Sequence, residues 1–483
     1  MIPEIFTPTI LRIISLLEEG GATDVLAVGG VVRDYLLGQR KDGEKLPERD
    51  VDLEVYGLSY ARIAEILRPH FRVGLVGQAF GVLKASGRDS GRRFEIDISL
   101  PRRESKNGVG HKGFDINAEP ELGYDEAFAR RDFTVNAIGM RRDGTLIDPY
   151  HGEADLEKKI LRAPSARFKD DPLRVLRGMQ FAARFGFTMD DVTIGYCREV
   201  LDEFPTLSKE RVYDEWRKWA LRGKFPSMGL DILEKTGWVG AFPELAALIG
   251  TPQNPKWHPE GDVWKHTSLV CNEARGAVEK GIDDGKPFSE TEQTVLMFAA
   301  LTHDFGKPLT TRRDAEGVIR SHGHAEQGVE PTRRFLESIK APNLVVDMVL
   351  PLVREHMVVI HHMLGAPTPR AVRRLACKLE PATLRLWVAL CQSDALGCFP
   401  PAAEVRNIRF RADDWLRTAQ EANVVDEKPV RLVLGRDLIP LGVRPGPEMG
   451  RILLAAYNAQ IDGAFSTADE GIAWLKSHGW LKQ

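Results

Sequence analysis

Cysteine is scarce and scattered: five residues (Cys197, Cys271, Cys377, Cys391 and Cys398) in 483, none in Cys-x-x-Cys spacing. That pattern argues against a disulfide framework and a cysteine-type zinc site, and it suits a reducing cytoplasm. No unbroken apolar stretch approaches the ~18 residues that a membrane helix requires. The opening segment, "MIPEIFTPTILRIISLLEEG", has neither a basic start nor a small-residue cleavage site, and it reads as an amphipathic helix, not a signal peptide. A strong excess of either charge is also missing. The net charge of −3 gives no whole-chain reason to expect a nucleic-acid partner. The distribution says more: Arg and Lys crowd residues 88–112 and 130–184, whereas acidic residues are frequent around 280–292. A local basic surface binds phosphates whatever the overall balance, although any one cluster is equally a solvated face.

Hydrophobic residues make up 43% of the chain, which supports real cores, and its length calls for roughly two to four domains. Residues 24–100 alternate strand and helix signals. "DVLAVGG" reads as a short strand, "VVRDYLLG" as a helix opening, and "RDVDLEVYG" as a strand with alternating sides. "GVLKASG" and "RRFEIDISLP" read as two further strands joined by a Gly/Asp/Ser turn. Residues 101–130, Gly- and charge-rich with weak periodicity, read as a flexible loop. Beyond 150 helices prevail, with Pro172 in a first turn and Ser208 as an N-cap. The Pro/Gly-rich "IGTPQNPKWHPEGD" (249–262) marks a boundary, and "CFPPAAEVRN" opens a last helical segment.

Four short motifs in the first part of the chain carry chemistry. In "RDVDLEVYG", Asp50 and Asp52 stand two apart on a strand and project to one face, where both carboxylates can grip one hard cation. The alternative is a solvated strand edge. In "AVGGVVRDYLLG", Gly29 and Gly30 allow close backbone approach at a strand-to-helix turn whose N–H groups suit a triphosphate, with Arg33 one turn on. Asp97, in "FEIDISL", is a third carboxylate for the same metal or a surface carboxylate. "RRDFTVNA" places Arg130, Arg131, Asp132 and Asn136 on one turn suited to a sugar hydroxyl and a phosphate. In "DDPLRVLR", Asp171 and Arg174 are three apart on an expected helix, hence on one face, where they match a base edge or form an intrahelical salt bridge.

A second group lies downstream. "LTHDFGKPL" holds His303 and Asp304 before a Gly-Lys turn. His266, His322, His324, His356 and Asp394 follow or precede it on helical segments. Neutral imidazoles and carboxylates ligate Mn, Fe, Ni, Co or Mg, whereas any one of these histidines alone is more often a packed residue.

Taken together, "GGVVRD", "RDVDLEV", "LPRRES", "RRDFTVNAIGM", "LIDPYHG" and "DDPLRVLRGMQFAARFGF" resemble, in order, the class II nucleotidyltransferases: tRNA CCA-adding enzymes and bacterial poly(A) polymerases. The ordered His, His-Asp, His, His, Asp run over about 255–400 resembles the HD phosphohydrolases, and the segment 432–465 resembles the tail of HD-containing members. The resemblance implies an α+β chain: a polymerase-β-like head with a small sheet (1–150), a helical neck and body (151–250), an HD domain (251–400) and a C-terminal helical tail (401–483). It implies that Asp50 and Asp52 bind catalytic Mg²⁺, and that Gly29, Gly30, Arg33 and Asp34 hold the triphosphate. It further implies that Arg131, Asp132 and Asn136 meet the ribose, and that Asp171 and Arg174, with Arg177 nearby, template CTP and then ATP. His266, His303, Asp304 and Asp394 are the implied primary HD ligands for a divalent transition metal or Mg²⁺. His324 and His356 complete a second metal or contact phosphate, and His361 and His362 are surface residues. Two departures stand out: Asp170 replaces the usual Glu before Asp171, and Gln180 stands where several relatives carry Arg.

The expected activity is CCA addition to the tRNA 3′ end with an accessory phosphatase or phosphodiesterase acting on RNA ends or nucleotides. Poly(A), CC-only or A-only addition are alternatives. A rival of another class makes the HD site the main activity and the N-terminal part an RNA-binding remnant. The sequence sets no oligomeric state.

Overall fold

Short apolar runs bounded by glycine build the head around a sheet. In the computed structural model, which describes residues 2–38, 51–76, 81–89, 92–106, 114–282, 285–361, 366–398 and 403–481, "DVLAV" forms β1 (Asp24–Val28) and "DLEVY" forms β2 (Asp52–Tyr56). With β3 (Arg72–Val76), β4 (Val82–Asp89), β5 (Arg92–Ser99), β8 (Gly139–Met140) and β9 (Leu146–Ile147) they make seven strands in the order β3-β4-β5-β2-β1-β8-β9. β2 therefore lies at the centre. It buries every residue after Asp52, Glu54 included, instead of alternating between core and solvent. Its side chains still alternate; both faces are simply covered.

Register positions the chemistry. β1 pairs antiparallel with β2, Val28 opposite Asp52, so the carboxylate stands beside the turn that follows β1. β2 runs parallel to β5 with Leu53 opposite Ile98, so one residue earlier Asp52 and Asp97 share a face. The β4–β5 hairpin forms as expected from the two strand motifs. Helix α1 (Pro8–Glu19) buries Ile10, Ile13, Ile14 and Leu17, the stripe of an amphipathic helix.

Residues 101–130 correct the loop expectation. They contain a two-stranded ribbon, β6 (Arg102–Lys106) against β7 (Phe114–Ala118), followed by the Tyr124–Ala129 helix. The first arm, RRESK, has no apolar residue, and the second, FDINA, alternates apolar and polar over only five positions, too short a run to stand out. The acidic Asp125 and Glu126 favour the first turn of the helix. Residues 107–113 of that expectation lie outside the described residues.

The chain divides into two compact units, residues 1–219 with 228–241, and residues 220–227 with 242–483. The Leu173–Phe185 helix of the first unit buries ten of its residues. In the second unit, the Val263–Lys280 helix packs against the Glu290–Thr302 and Leu384–Gly397 helices, and the Asn343–Glu355 helix packs against Glu290–Thr302. Leu438, Ile452, Ala456 and Leu475 form a separate apolar cluster within it. Among the described residues no helix is long and apolar enough to cross a membrane.

Candidate nucleotide and metal sites

Gly29 follows β1 at φ +76, a left-handed conformation that glycine adopts without a Cβ penalty, and the Gly30–Gly38 helix starts at once. A Cβ on Gly30 would lie 3.4 Å from Arg33 Nη2, so the turn and the guanidinium are in close apposition. Arg33 is buried and held on several sides. Its Nη1 donates to Asn136 Oδ1 at 2.5 Å, its Nε and Nη2 donate to Asp34 Oδ1 at 2.9 and 2.8 Å, and it lies over the Phe185 ring at 4.7 Å. Burial lowers its pKa to about 10, still a cation at neutral pH. Asp34 is itself buried, accepts also from Arg184, and stands behind Arg33; it is not among the residues lining the cavity.

Asp132 and Asn136 close the same network. Asp132 Oδ1 accepts from Asn136 Nδ2 at 2.9 Å, and Oδ2 lies 2.6 Å from Arg177 Nη2. Burial alone would raise the Asp132 pKa, but Arg177 and the Asn136 hydrogen bond hold it at about 2. The Asp132 charge in turn raises the pKa of Arg177.

The base-edge motif differs from the expected helix. Asp171 has φ −127 and ψ 102, extended backbone, and the helix begins at Leu173 after Pro172. The residue before a proline is pushed out of the helical region, so Asp171 and Arg174 do not share a helical face. They still reach one space. Asp171 Oδ1 accepts from Leu173 N at 3.1 Å and Oδ2 from Arg211 Nη2 at 2.8 Å. Arg174 donates to the carbonyls of Arg130 (2.6 Å) and Arg167 (2.7 Å).

All four motifs meet in one cavity of about 460 Å³, whose walls include Gly30, Arg33, Asp52, Arg131, Asp171 and Arg174. Six arginines reach its wall (Arg33, Arg130, Arg131, Arg174, Arg177, Arg211) against three aspartates (Asp52, Asp132, Asp171), a balance that suits a polyanion. Arg131 Nε and Arg211 Nη1 are buried there without a hydrogen-bond partner, donors suited to a ligand. Asp50 lies outside the described residues. Asp52 is exposed, and Asp97, on its face, lies 3.2 Å from Lys84. These oxygen donors fit Mg²⁺. Gln180 is buried and is not among the lining residues.

The second unit gathers the other set. His266 Nε2 lies 3.0 Å from Asp394 Oδ1, His303 Nε2 3.2 Å from Asp304 Oδ2 and 3.7 Å from Asp394 Oδ1. His324 Nε2 is 3.5 Å from Asp304 Oδ1 and 3.2 Å from His356 Nε2. The Nδ1 atoms of His303, His324 and His356 each face a backbone carbonyl at 2.6–2.9 Å, so their Nε2 atoms all converge. His303 Nε2 has no hydrogen-bond partner, and burial lowers the His356 pKa to about 3, so that imidazole is neutral. Burial would raise the Asp394 pKa, but His266 and His303 hold it well down. Imidazole nitrogens beside ionised carboxylates, all buried but Asp394, are a donor set that fits a divalent transition metal. His322 is exposed, the side chain of His361 and all of His362 lie outside what the structure describes.

Residues 25–162 match the poly A polymerase head domain, and residues 263–383 match the HD domain. The "Multifunctional CCA protein" of Methylobacillus flagellatus is 35% identical over 381 residues, 77% of this chain and 84% of the relative. That of Halorhodospira halophila is 34% identical over 89% of this chain and 94% of its own length. The chain belongs to the nucleotidyltransferase family of CCA-adding enzymes and bacterial poly(A) polymerases, and it carries an HD domain. Two solved structures share the fold. The Bacillus stearothermophilus CCA-adding enzyme in complex with CTP aligns with TM-score 0.62 at 22% identity over 99% of this chain and 98% of its own. The Thermotoga maritima CCA-adding enzyme complexed with tRNA_CCA aligns with TM-score 0.58 at 16% identity over 98% and 97%.

Several residues of this nucleotidyltransferase escaped the motif reading. Glu54, wholly inaccessible, accepts from Tyr56 Oη (2.8 Å), Arg130 Nη2 (3.1 Å) and Arg131 Nη2 (3.2 Å). Arg211 comes from the Lys209–Arg222 helix, 40 residues from its partner Asp171. Lys307 Nζ lies 2.7 Å from Asp304 Oδ2 and donates to Gln253 at 2.6 Å. Only Lys307 had a local signal, the Gly-Lys turn after His303-Asp304.

Proposed function

We propose that the chain adds CCA to the 3′ end of tRNA from CTP and ATP, with Asp50 and Asp52 as the metal-binding pair. The observation that carries this reading is the single cavity in which a carboxylate–arginine pair, Asp171 and Arg174, faces the arginine-lined glycine turn. Cytosine and adenine both present an exocyclic amino donor beside a ring acceptor, whereas uracil and guanine present a carbonyl at the corresponding place. Asp171 accepts from that amino group and Arg174 donates to the ring nitrogen. Arg33 and Arg131 hold the triphosphate, and the Asp132–Asn136 network keeps Arg33 and Arg177 oriented around the sugar. Mg²⁺, when bound, supplies activation of the primer hydroxyl and neutralisation of the departing pyrophosphate. The relatives named for CCA function, and solved relatives with CTP and with tRNA, support the same substrates here.

Incubation with tRNA lacking its CCA, with CTP and ATP singly and together, tests the reading. CCA addition is expected from the mixture, and Asp50→Ala or Asp52→Ala is expected to abolish it with RNA binding nearly intact. Wild-type-like addition by either variant sinks the assignment, and a product of only CC, only A or poly(A) replaces it with the corresponding relative.

The convergent imidazoles favour a second activity. The HD cluster is a metal-dependent phosphohydrolase site acting on RNA ends or nucleotides, with His266, His303, Asp304 and Asp394 as primary ligands and His324 and His356 beside them. Release of phosphate from 2′- or 3′-phosphorylated nucleotides and opening of 2′,3′-cyclic nucleotides to the monophosphate, both lost in the His303→Ala/Asp304→Ala variant while CCA addition persists, are the expected results. The scattered free cysteines are consistent with work in the cytoplasm.

A further inference from the structure

Residues 253–262 contain no helix or strand, and composition marks them only as a boundary. They nevertheless supply the HD cluster with two side chains. Gln253 accepts from Lys307 and donates to the Asp262 carbonyl at 3.1 Å, pinning the segment to the lysine beside Asp304. The Glu260 side chain, 2% exposed, places Oε1 at 2.9 Å from His266 Nδ1 and 2.9 Å from His258 Nδ1. The other nitrogen of His266 faces Asp394 at 3.0 Å and Asp304 at 3.8 Å.

His266 thus has carboxylates on both sides, and an imidazole that ligates a metal through one nitrogen keeps its N–H on the other. The atom that carries it decides which nitrogen offers a lone pair. The other histidines of the cluster solve this with backbone carbonyls at Nδ1. His266 lies inside a helix, where its neighbouring carbonyls are engaged in the helical ladder, and a carboxylate takes their place. We infer that Glu260 is the positioning residue of the HD metal centre: it accepts the Nδ1 proton of His266, fixing the tautomer that turns the Nε2 lone pair toward the ion. This rests on the reading of the cluster as a metal centre. A carboxylate accepting from the far nitrogen raises ligand basicity and locks ring orientation, and its loss typically costs 10–100-fold in metal affinity.

A competing arrangement is also present. Cys398 Sγ lies 3.7 Å from His258 Nδ1 and 4.0 Å from His266 Nδ1, so Glu260, His258, His266 and Cys398 form a group that could ligate an ion of its own. That use requires His266 to surrender its Nδ1 proton and bridge two ions, whereas positioning needs no deprotonation.

Co²⁺ titration of the metal-free full-length chain, followed by calorimetry and visible absorption, tests the inference. Glu260→Ala is expected to bind Co²⁺ roughly 10–100-fold more weakly, with altered absorption bands. Glu260→Gln, whose amide oxygen still accepts, is expected to restore most of the affinity. Cys398→Ser is expected to leave affinity and ions per chain unchanged. Wild-type affinity in Glu260→Ala overturns the inference, as does loss of one ion per chain in both Glu260→Ala and Cys398→Ser, which makes Glu260 a ligand. Absence of Co²⁺ binding by the wild-type chain, or binding unaltered by His303→Ala/Asp304→Ala, overturns the metal-centre reading itself and this inference with it. CCA addition and the metal-free melting temperature control for folding.

Discussion

Glu54 Oε2 accepts from Arg131 Nη2 at 3.2 Å, and the carboxylate that holds this cavity-lining arginine is itself wholly out of solvent. Glu54 shares its strand face with Asp52, two residues before, but it points its charge at arginines and a tyrosine. Removing one partner of a buried pair leaves the others uncompensated. Arg131 is 21% exposed, so the loss is discounted for water that can reach it. Glu54→Ala is therefore expected to lower stability by about 2 kcal/mol in urea unfolding followed by tryptophan fluorescence. Glu54→Gln, less disruptive, is expected to raise the KM for CTP and ATP roughly tenfold with a smaller change in kcat, because Arg131 loses its fixed orientation. Unchanged KM in Glu54→Gln would remove Glu54 from nucleotide binding.

The Asp132–Arg177 pair makes stability depend on pH. The folded Asp132 pKa of about 2 lies below its ordinary value of 3.8. A depressed carboxylate contributes stability that is present above the ordinary value and is lost as pH falls through the folded one. The contribution is about 2 kcal/mol at neutral pH, by the usual conversion of pKa shift to free energy. Asp132→Asn is expected to melt below the wild-type chain at pH 6, with the gap closing between pH 4 and pH 2. A gap that stays constant over that window refutes the pair's role.

How much of this was legible beforehand depends on the range of the contacts. Gly29, Arg33 and Asp132 belong to contiguous motifs, and local spacing is enough to propose them, whereas Arg177 enters only through the family resemblance. All four line one cavity. Glu54 sits inside one of those motifs yet went unread. Whether a charged strand residue is solvated or buried depends on whether the strand is central, and sheet order is not local information. Arg211 and Glu260 act on partners brought close only by helix packing or by an irregular segment. Asp171 lies outside the expected helix because Pro172, which suits a first turn, also pushes the residue before it into extended backbone.

Arg211 donates to Asp171 at 2.8 Å and fixes the carboxylate proposed to read the base. The two side chains are 30% and 22% exposed, so the ion pair itself contributes little to folding. Arg211→Ala is expected to shift stability by less than about 1 kcal/mol. The same change is expected to lower kcat/KM for CTP and ATP roughly tenfold, equivalent to about 1.4 kcal/mol. UTP misincorporation rises relative to CTP, because a loosened carboxylate discriminates less by its acceptor geometry. Competition between labelled CTP and UTP measures this, and an unaltered ratio counts against the assignment of Asp171.

Gly306 bears on the HD cluster through close approach. Its φ is −84, which any residue adopts, but a Cβ there would meet the His324 carbonyl oxygen at 2.0 Å and Gly328 N at 2.7 Å. Both neighbours are backbone, so the Ser321–Gly328 stretch must move, and His324 Nε2 moves with it away from Asp304. Gly306→Ala is expected to cost about 1–3 kcal/mol from overpacking. It also weakens Co²⁺ binding by roughly tenfold or more, as loss of outer support for a metal ligand does. CTP incorporation is expected to persist. Gly317→Ala is the matched control: its φ of +77 strains a side chain by about 1–2 kcal/mol, but nothing lies within 4 Å of the added Cβ. Both variants lose stability, and only Gly306→Ala is expected to lose metal. Equal Co²⁺ affinity in the two would mean that the approach of Gly306 to His324 does not hold the cluster together.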